Sequence, residues 1–138
     1  MGADAYPFSL LDFQSVTDFR MNGVRLVQAG GGATALRAVA QSAVIGQSLF
    51  SNLEIETYPS ATSAARVSAV VLSAARGTEP YNDSPNRAVV FRDSVVRVNS
   101  TLAGTQDVAG IERPNAPGAL GGGSVFIHGV SAVVTALH

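Results

Sequence analysis

The chain has 138 residues and a mass of 14.1 kDa, with nine arginines, ten acidic residues and no lysine. Its formal net charge of -1 argues against a nucleic-acid clamp, and its 46% hydrophobic and 14% charged residues are typical of one packed domain. The absence of cysteine excludes disulfide frameworks, thiol catalysis and cysteine-based zinc sites.

The beginning of the chain predicts an arm rather than a leader or a membrane anchor. Residues 1–4 lack the basic and apolar regions of a signal peptide, and no apolar run in the chain reaches 18 residues, so no membrane partner is expected. Residues 1–22 mix aromatic and acidic side chains without a period and predict an N-terminal arm, followed by one domain over 23–138. The side chains expected to dock this arm against an interior surface are those of Tyr6, Phe8, Phe13, Phe19 and Arg20.

The first half of the domain predicts strands separated by a glycine turn. Residues 23–28 alternate apolar and polar side chains and end at the glycines 30–32. Residues 33–44 predict a second strand that completes a hairpin, although their alanines would also allow a helix. Residues 45–52 indicate a short helical turn or loop, and residues 53–58 alternate strictly, as a strand does.

The second half predicts further strands and no helix. Residues 65–75 read as a buried strand, and residues 88–99 as two strands or one bulged strand. A weak strand is expected over 106–113, and a long terminal strand over 124–135 with a kink or bulge at Gly129. The total is seven or eight strands without an amphipathic helix or a visible internal repeat, which predicts a sandwich or barrel.

The chemistry-bearing residues do not predict an enzyme. His128 and His138 are the two histidines, and neither lies in a nucleophile or zinc motif. Glu54 and Glu56 share a strand face about 7 Å apart, as acid/base pairs can, but no other residue converges on them. We therefore predict no catalytic residue, no metal and no cofactor.

The charged residues instead predict contacts between subunits. Arginine pairs with carboxylates through a planar fork and tolerates partial burial, so an arginine-only set of cations favours contact surfaces. Such contacts would make assembly depend on pH. The candidate contact residues are Arg66, Arg76, Arg92 and Arg97 with Glu54, Glu56, Asp83 and Asp93.

Five segments carry a resemblance to a known family. They are residues 24–30, 48–59, 66–72, 114–117 and 125–132. Their order resembles the jelly-roll coat proteins of small icosahedral plant and fungal viruses, most closely the tymovirus and marafivirus group. The likeness runs over about residues 19 to 136.

This resemblance implies an all-β fold, an eight-stranded antiparallel jelly-roll sandwich of two Greek keys. It implies a structural subunit of an icosahedral capsid that assembles with its own copies around an RNA genome. RNA contact would be weak and helped by polyamines, as the net charge of -1 suggests. The subunit would reside in the virion and assemble in the host cytoplasm.

Two other functions stay open. One is an oligomeric, trimeric β-sandwich binding module, such as a lectin-like or phage tip domain. A sugar site favours aromatic clusters, however, and the chain has no tryptophan and three tyrosines. The other is a cupin-type enzyme, which is disfavoured because its metal needs several histidines on neighbouring strands.

Overall fold

Every described element of the computed structural model is a β-strand. The described residues are 9–14, 19–30, 34–40, 46–60, 66–74, 87–101, 107–112 and 124–136. Their strands are β1 (Ser9–Gln14), β2 (Arg20–Asn22), β3 (Arg25–Ala29), β4 (Thr34–Ala40), β5 (Gly46–Ser51), β6 (Glu54–Tyr58), β7 (Arg66–Ala74), β8 (Arg87–Arg92), β9 (Val95–Ser100), β10 (Asp107–Glu112), β11 (Ser124–His128) and β12 (Ser131–Ala136).

These strands wind into a parallel β-helix. Three sheets have the strand orders β1-β4-β7-β10, β2-β5-β8-β11 and β3-β6-β9-β12. All of the pairings are parallel, and each strand pairs with the strand three places along the chain. The described strands therefore visit the three sheets in turn and complete four coils, β1–β3, β4–β6, β7–β9 and β10–β12.

The predicted antiparallel jelly-roll sandwich is wrong. A jelly roll pairs strands in opposite directions, whereas all three sheets formed by the described strands are parallel. The physical reason is that side-chain alternation assigns each residue to a face but does not specify the strand's partner or direction. The glycines 30–32 do not close a hairpin either, since β3 pairs with β6 and β4 pairs with β1 and β7.

Several predicted spans need revision, while others are confirmed. Residues 45–52 were expected to form a turn or loop, but Gly46–Ser51 is strand β5. The long terminal strand is two strands, because the chain turns a corner at Gly129. Two strands do occupy 88–99, as one reading predicted. Inside the predicted arm, β1 and β2 pair with β4 and β5 and so belong to the β-helix.

A two-residue corner joins the second sheet to the third in every coil. Its first residue is Gly23, Asn52, Asp93 or Gly129, with φ of 71°, 52°, 50° and 61°. Glycine, asparagine and aspartate are the residues that enter this left-handed region at least cost. The corner therefore has a sequence requirement that each coil satisfies.

Backbone hydrogen bonds stack the corners on one another. Gly23 N donates to Ser51 O at 3.2 Å, Asn52 N to Arg92 O at 3.3 Å and Asp93 N to His128 O at 3.0 Å. Asn22 Oδ1 also accepts from Asn52 Nδ2 at 2.7 Å. Each corner is thus held by the next coil.

The core is a set of apolar rows that run along the helix axis. Leu26, Ile55 and Val96 occupy one register row of the third sheet, and all three are buried. Phe50 and Phe91 are neighbours in the second sheet, and both are fully buried. Each coil therefore covers the apolar side chains of the coils on either side.

Removing an aromatic ring from this core should destabilise the protein strongly. Phe91→Ala leaves a cavity between two coils and should lower the free energy of unfolding by about 3–5 kcal/mol. Phe126→Ala is the matched control, because Phe126 is 52% exposed on the next coil and its loss should cost under about 1 kcal/mol. Chemical denaturation of dilute protein measures both values, and equal losses would contradict this packing.

Candidate functional site

A charged cluster lies on the outer face of the third sheet. It consists of Arg25, Glu54, Glu56, Tyr58 and Arg97. Arg25 Nη2 lies 3.0 Å from Glu56 Oε2 and its Nε lies 3.8 Å from Glu54 Oε1. Arg97 Nη1 lies 3.3 Å from Glu54 Oε1, and the Tyr58 hydroxyl donates to Glu56 Oε1. The cluster connects β3, β6 and β9 across three successive coils.

The register explains how these charges meet. Arg25 and Glu54 are partners in one row, and Glu56 and Arg97 are partners in another. Residues two apart along a strand share a face, so Glu54 and Glu56 both point outward. Each arginine can therefore reach a carboxylate on the neighbouring coil.

The cluster shifts two ionisation equilibria. The hydrogen bond from Tyr58, followed by the hydrogen bond and charge of Arg25, lowers the pKa of Glu56 below its ordinary value of 4.5. The same bond to the carboxylate raises the pKa of Tyr58, since the ionised phenol could not donate. Glu56 is therefore held as a carboxylate, which favours ion pairing over acid/base exchange near neutral pH.

A second ion-pair group lies on the first sheet. Arg66 Nη1 lies 3.0 Å from Glu112 Oε1, and Arg66 Nη2 lies 3.5 Å from Asp107 Oδ2. Ser68 Oγ donates to Glu112 Oε2. The hydrogen bond and the charge of Glu112 raise the pKa of Arg66. Because β7 and β10 lie on successive coils, this group also joins two coils.

The predicted contact residues are thus placed within one chain. Arg97 meets Glu54, one of its predicted partners, whereas Arg66 meets Glu112 and Asp107. Arg92 Nε lies 3.6 Å from the Asp93 carboxylate beside it in sequence. Arg76 and Asp83 lie outside the described residues. The role of the predicted set between subunits stays a prediction.

Two of the predicted interior aromatics pack on the core. The ring centroids of Phe13 and Phe19 lie 4.4 Å apart, and each lies 5.7 Å from the ring of Phe50. Arg20 is exposed on β2. The predicted arm residues Tyr6 and Phe8 lie outside the described part of the chain.

An open groove lies at the end of the third sheet. Its volume is about 330 Å³, and its lining consists of Tyr58, Pro59, Ser60, Asn99, Ser100, Thr101 and Thr135. The described lining residues include one aromatic ring and no charged side chain. A binding role for this groove, as the module alternative would require, stays a prediction.

The last coil exposes apolar side chains that are buried at the same positions in the preceding coils. Ile127 is 49% exposed, although it shares a row with the fully buried Phe91. Val134 is 42% exposed, although it shares a row with the buried Val98. Outward from the same coil, Phe126 and Val133 are 52% and 55% exposed. This is the largest group of exposed large hydrophobic residues among those described.

Sequence reasoning missed this surface and several members of the ion-pair groups. Arg25, Tyr58, Asp107 and Glu112 were not singled out, because their partners depend on the register between coils. The corner residues could have supplied that register. Glycine, asparagine or aspartate followed by alternating residues recurs at Gly23, Asn52, Asp93 and Gly129, at unequal spacing.

Two further kinds of site are absent from the part of the chain that the structure describes. The described residues contain no group of three or more histidine, aspartate or glutamate residues that could hold a metal ion. They also contain no helix with the length and hydropathy needed to cross a membrane. No protein-family model, curated protein or solved structure matches the chain. The geometry of the coils is therefore the remaining guide to function.

The charged cluster predicts a specific pH dependence. Because folding lowers the pKa of Glu56, its contribution to stability is complete above pH 4.5 and is lost as the pH falls through the folded-state pKa. A carboxyl NMR titration should give a midpoint for Glu56 below 4.5, and Tyr58→Phe should raise it by removing the largest cause.

The matched control for this titration is Asn99→Ala. Asn99 lines the same groove as Tyr58, and its loss leaves the bond from Tyr58 to Glu56 intact. The control midpoint should equal that of the original protein. A midpoint at or above 4.5 in the original protein, or one that Tyr58→Phe leaves unchanged, would contradict the cluster's geometry.

Proposed function

We propose that the chain is a structural module that associates with its own copies. The observation that supports this function is the last coil, whose inward side chains Ile127 and Val134 are 49% and 42% exposed. Large exposed apolar surfaces on soluble proteins usually mark interaction sites. Among the described strands, the three strands of this coil have one neighbour each, so a row of backbone groups is open for pairing.

The described polar groups support a structural role better than a catalytic one. The carboxylates of the charged cluster are matched by guanidinium groups on adjacent coils. Arg66 and its partners likewise connect two coils. Exposed ion pairs of this kind contribute little stability singly, but they specify which residues lie beside each other.

The proposal keeps the predicted partner, a second copy of the chain, and leaves the form of the assembly open. The expectation of an icosahedral shell around RNA, located in a virion, came from a resemblance to antiparallel jelly rolls. A parallel β-helix lacks that strand order. The viral coat function therefore stays a prediction from the sequence, without support from the fold.

Association should depend on the inward side chains of the last coil. Ile127→Lys places a charge among apolar rows at an open edge, a change that blocks edge pairing in natural β proteins. We expect sedimentation velocity to show association of the original protein with rising concentration. For Ile127→Lys the dissociation constant should rise by at least about tenfold.

The matched control is Thr135→Lys, which adds the same charge at an exposed outward position of the same coil. It should associate like the original protein. Val134→Lys repeats the test at a second inward position, so that a folding defect in one variant does not decide the result. A chain that stays monomeric at all concentrations, or that associates equally with both inward lysines, would refute the proposal.

A further inference from the structure

The two ends of the described β-helix have matching geometry. Among the described strands, β1, β2 and β3 of the first coil pair only with β4, β5 and β6. In the last coil, β10, β11 and β12 likewise pair only with β7, β8 and β9 among these strands. Each end thus offers three open strand edges that run in the same direction around the axis. From these edges we infer that copies stack head to tail, with the last coil of one copy pairing in register with the first coil of the next. This inference rests on the proposed self-association.

The inward side chains of the two ends are complementary in this register. Ile127 is in the row of Phe50 and Phe91 that begins with Met21. Ala132 is in the row that begins with Leu26. Head-to-tail stacking would therefore place Ile127 against Met21, and Ala132 against Leu26, of the next copy. The apolar core would continue from one copy into the next.

The first sheet continues in the same way. Ile111 is in the row of Val70 and Leu36 that begins with Leu11. Leu11 and Ile111 are only partly buried, and both pack against the core of their own chain. Stacking would place these two side chains in contact and complete their burial.

The outward side chains favour the same register. Phe126 is in the row that begins with Arg20, so stacking places an aromatic ring beside an exposed guanidinium. Arginine and aromatic rings attract each other in such contacts. Val133 is in the row that begins with Val27, and both are exposed by about half, at 55% and 45%. Their contact would cover two β-branched side chains.

The open edges also have complementary backbone groups. Gly30 N donates to Tyr58 O in the second coil, and successive residues of a strand point their backbone groups to opposite sides. Val27 N–H therefore points away from the second coil. Ser131 N donates to Ser94 O in the third coil, so Val134 N–H points away from it. Both edges thus present donors and acceptors at the spacing of a parallel ladder.

One row is electrostatically unfavourable in the proposed stacking, although a nearby arginine offsets part of the repulsion. Glu112 is in the row that begins with Asp12, so stacking would bring two carboxylates together. Arg66 lies 3.0 Å from Glu112 and balances part of this charge. Among the described residues, the rows in which stacking would join apolar side chains outnumber this single row of like charges.

A closed pair of two last coils fits the structure less well. A two-fold axis would oppose the directions of the strands and could bring only one sheet onto its own counterpart. The rows of the other two sheets would then lose their matches. Head-to-tail contacts use two different surfaces and leave one of each free, so they produce open chains of copies.

The test combines two variants that block opposite ends. Val27→Pro removes the outward donor of the first coil, and proline is tolerated on edge strands. Val27→Thr is its control, because it keeps the donor and the β-branched shape. Ile127→Lys blocks the last coil. Each blocked variant alone should be monomeric, and an equimolar mixture should give heterodimers and nothing larger, as measured by native mass spectrometry and sedimentation velocity.

The possible results separate this inference from the proposed function. If Val27→Pro alone still forms dimers, the last coils pair with each other and the head-to-tail inference is overturned, while self-association stands. If the original chain never associates, the proposed function fails as well. Gln28→Lys is a second variant that blocks the first coil, and it does so without proline. Gln28 begins the row that ends with Val134. If Ile127→Lys forms heterodimers neither with Val27→Pro nor with Gln28→Lys, head-to-tail stacking is refuted.

Discussion

Parallel hydrogen bonding between successive coils is the constraint on which the other features of this protein depend. Each strand pairs with the strand three places along the chain, so every residue of a coil has a fixed neighbour in the next. The corners, such as those at Asn52 and Asp93, maintain this register. A residue with positive φ recurs at the same place in each coil, and backbone hydrogen bonds join each corner to the next. Apolar rows, ion pairs and exposed edges all follow from which residues the register places side by side.

The same constraint accounts for the stability of the inner coils and underlies the proposed association. An inner coil is covered on two sides, and Ile55 and Phe91 are completely buried there. The last coil is covered on one side, so Ile127 is exposed although its position in the coil is the same as that of Phe91. In repeat proteins, stability is approximately a sum of repeat and interface terms, and an uncovered end repeat lacks one interface. Self-association would supply that missing interface from another copy.

The sequence predicts much of the local structure and little of the topology. Strict alternation places the strand at 53–58 correctly. The sequence predicts Glu54 and Arg97 as contacts between subunits, whereas the structure pairs them within one chain. The strand at Gly46–Ser51 was missed because glycine and serine have low β propensity, and its pairing on both sides overrides that preference. The repeat was missed because the corners are unequally spaced, and without the repeat the register between coils cannot be derived.

The most direct test of this account is a nuclear Overhauser experiment on protein with labelled methyl groups. The parallel register predicts an unbroken line of contacts from Leu26 to Ile55, from Ile55 to Val96 and from Val96 to Ala132. It also predicts that backbone contacts between paired strands have the parallel pattern throughout. Antiparallel contacts between α-protons of neighbouring strands, or the absence of contacts between Leu26, Ile55 and Val96, would contradict the β-helix and the association inferred from it.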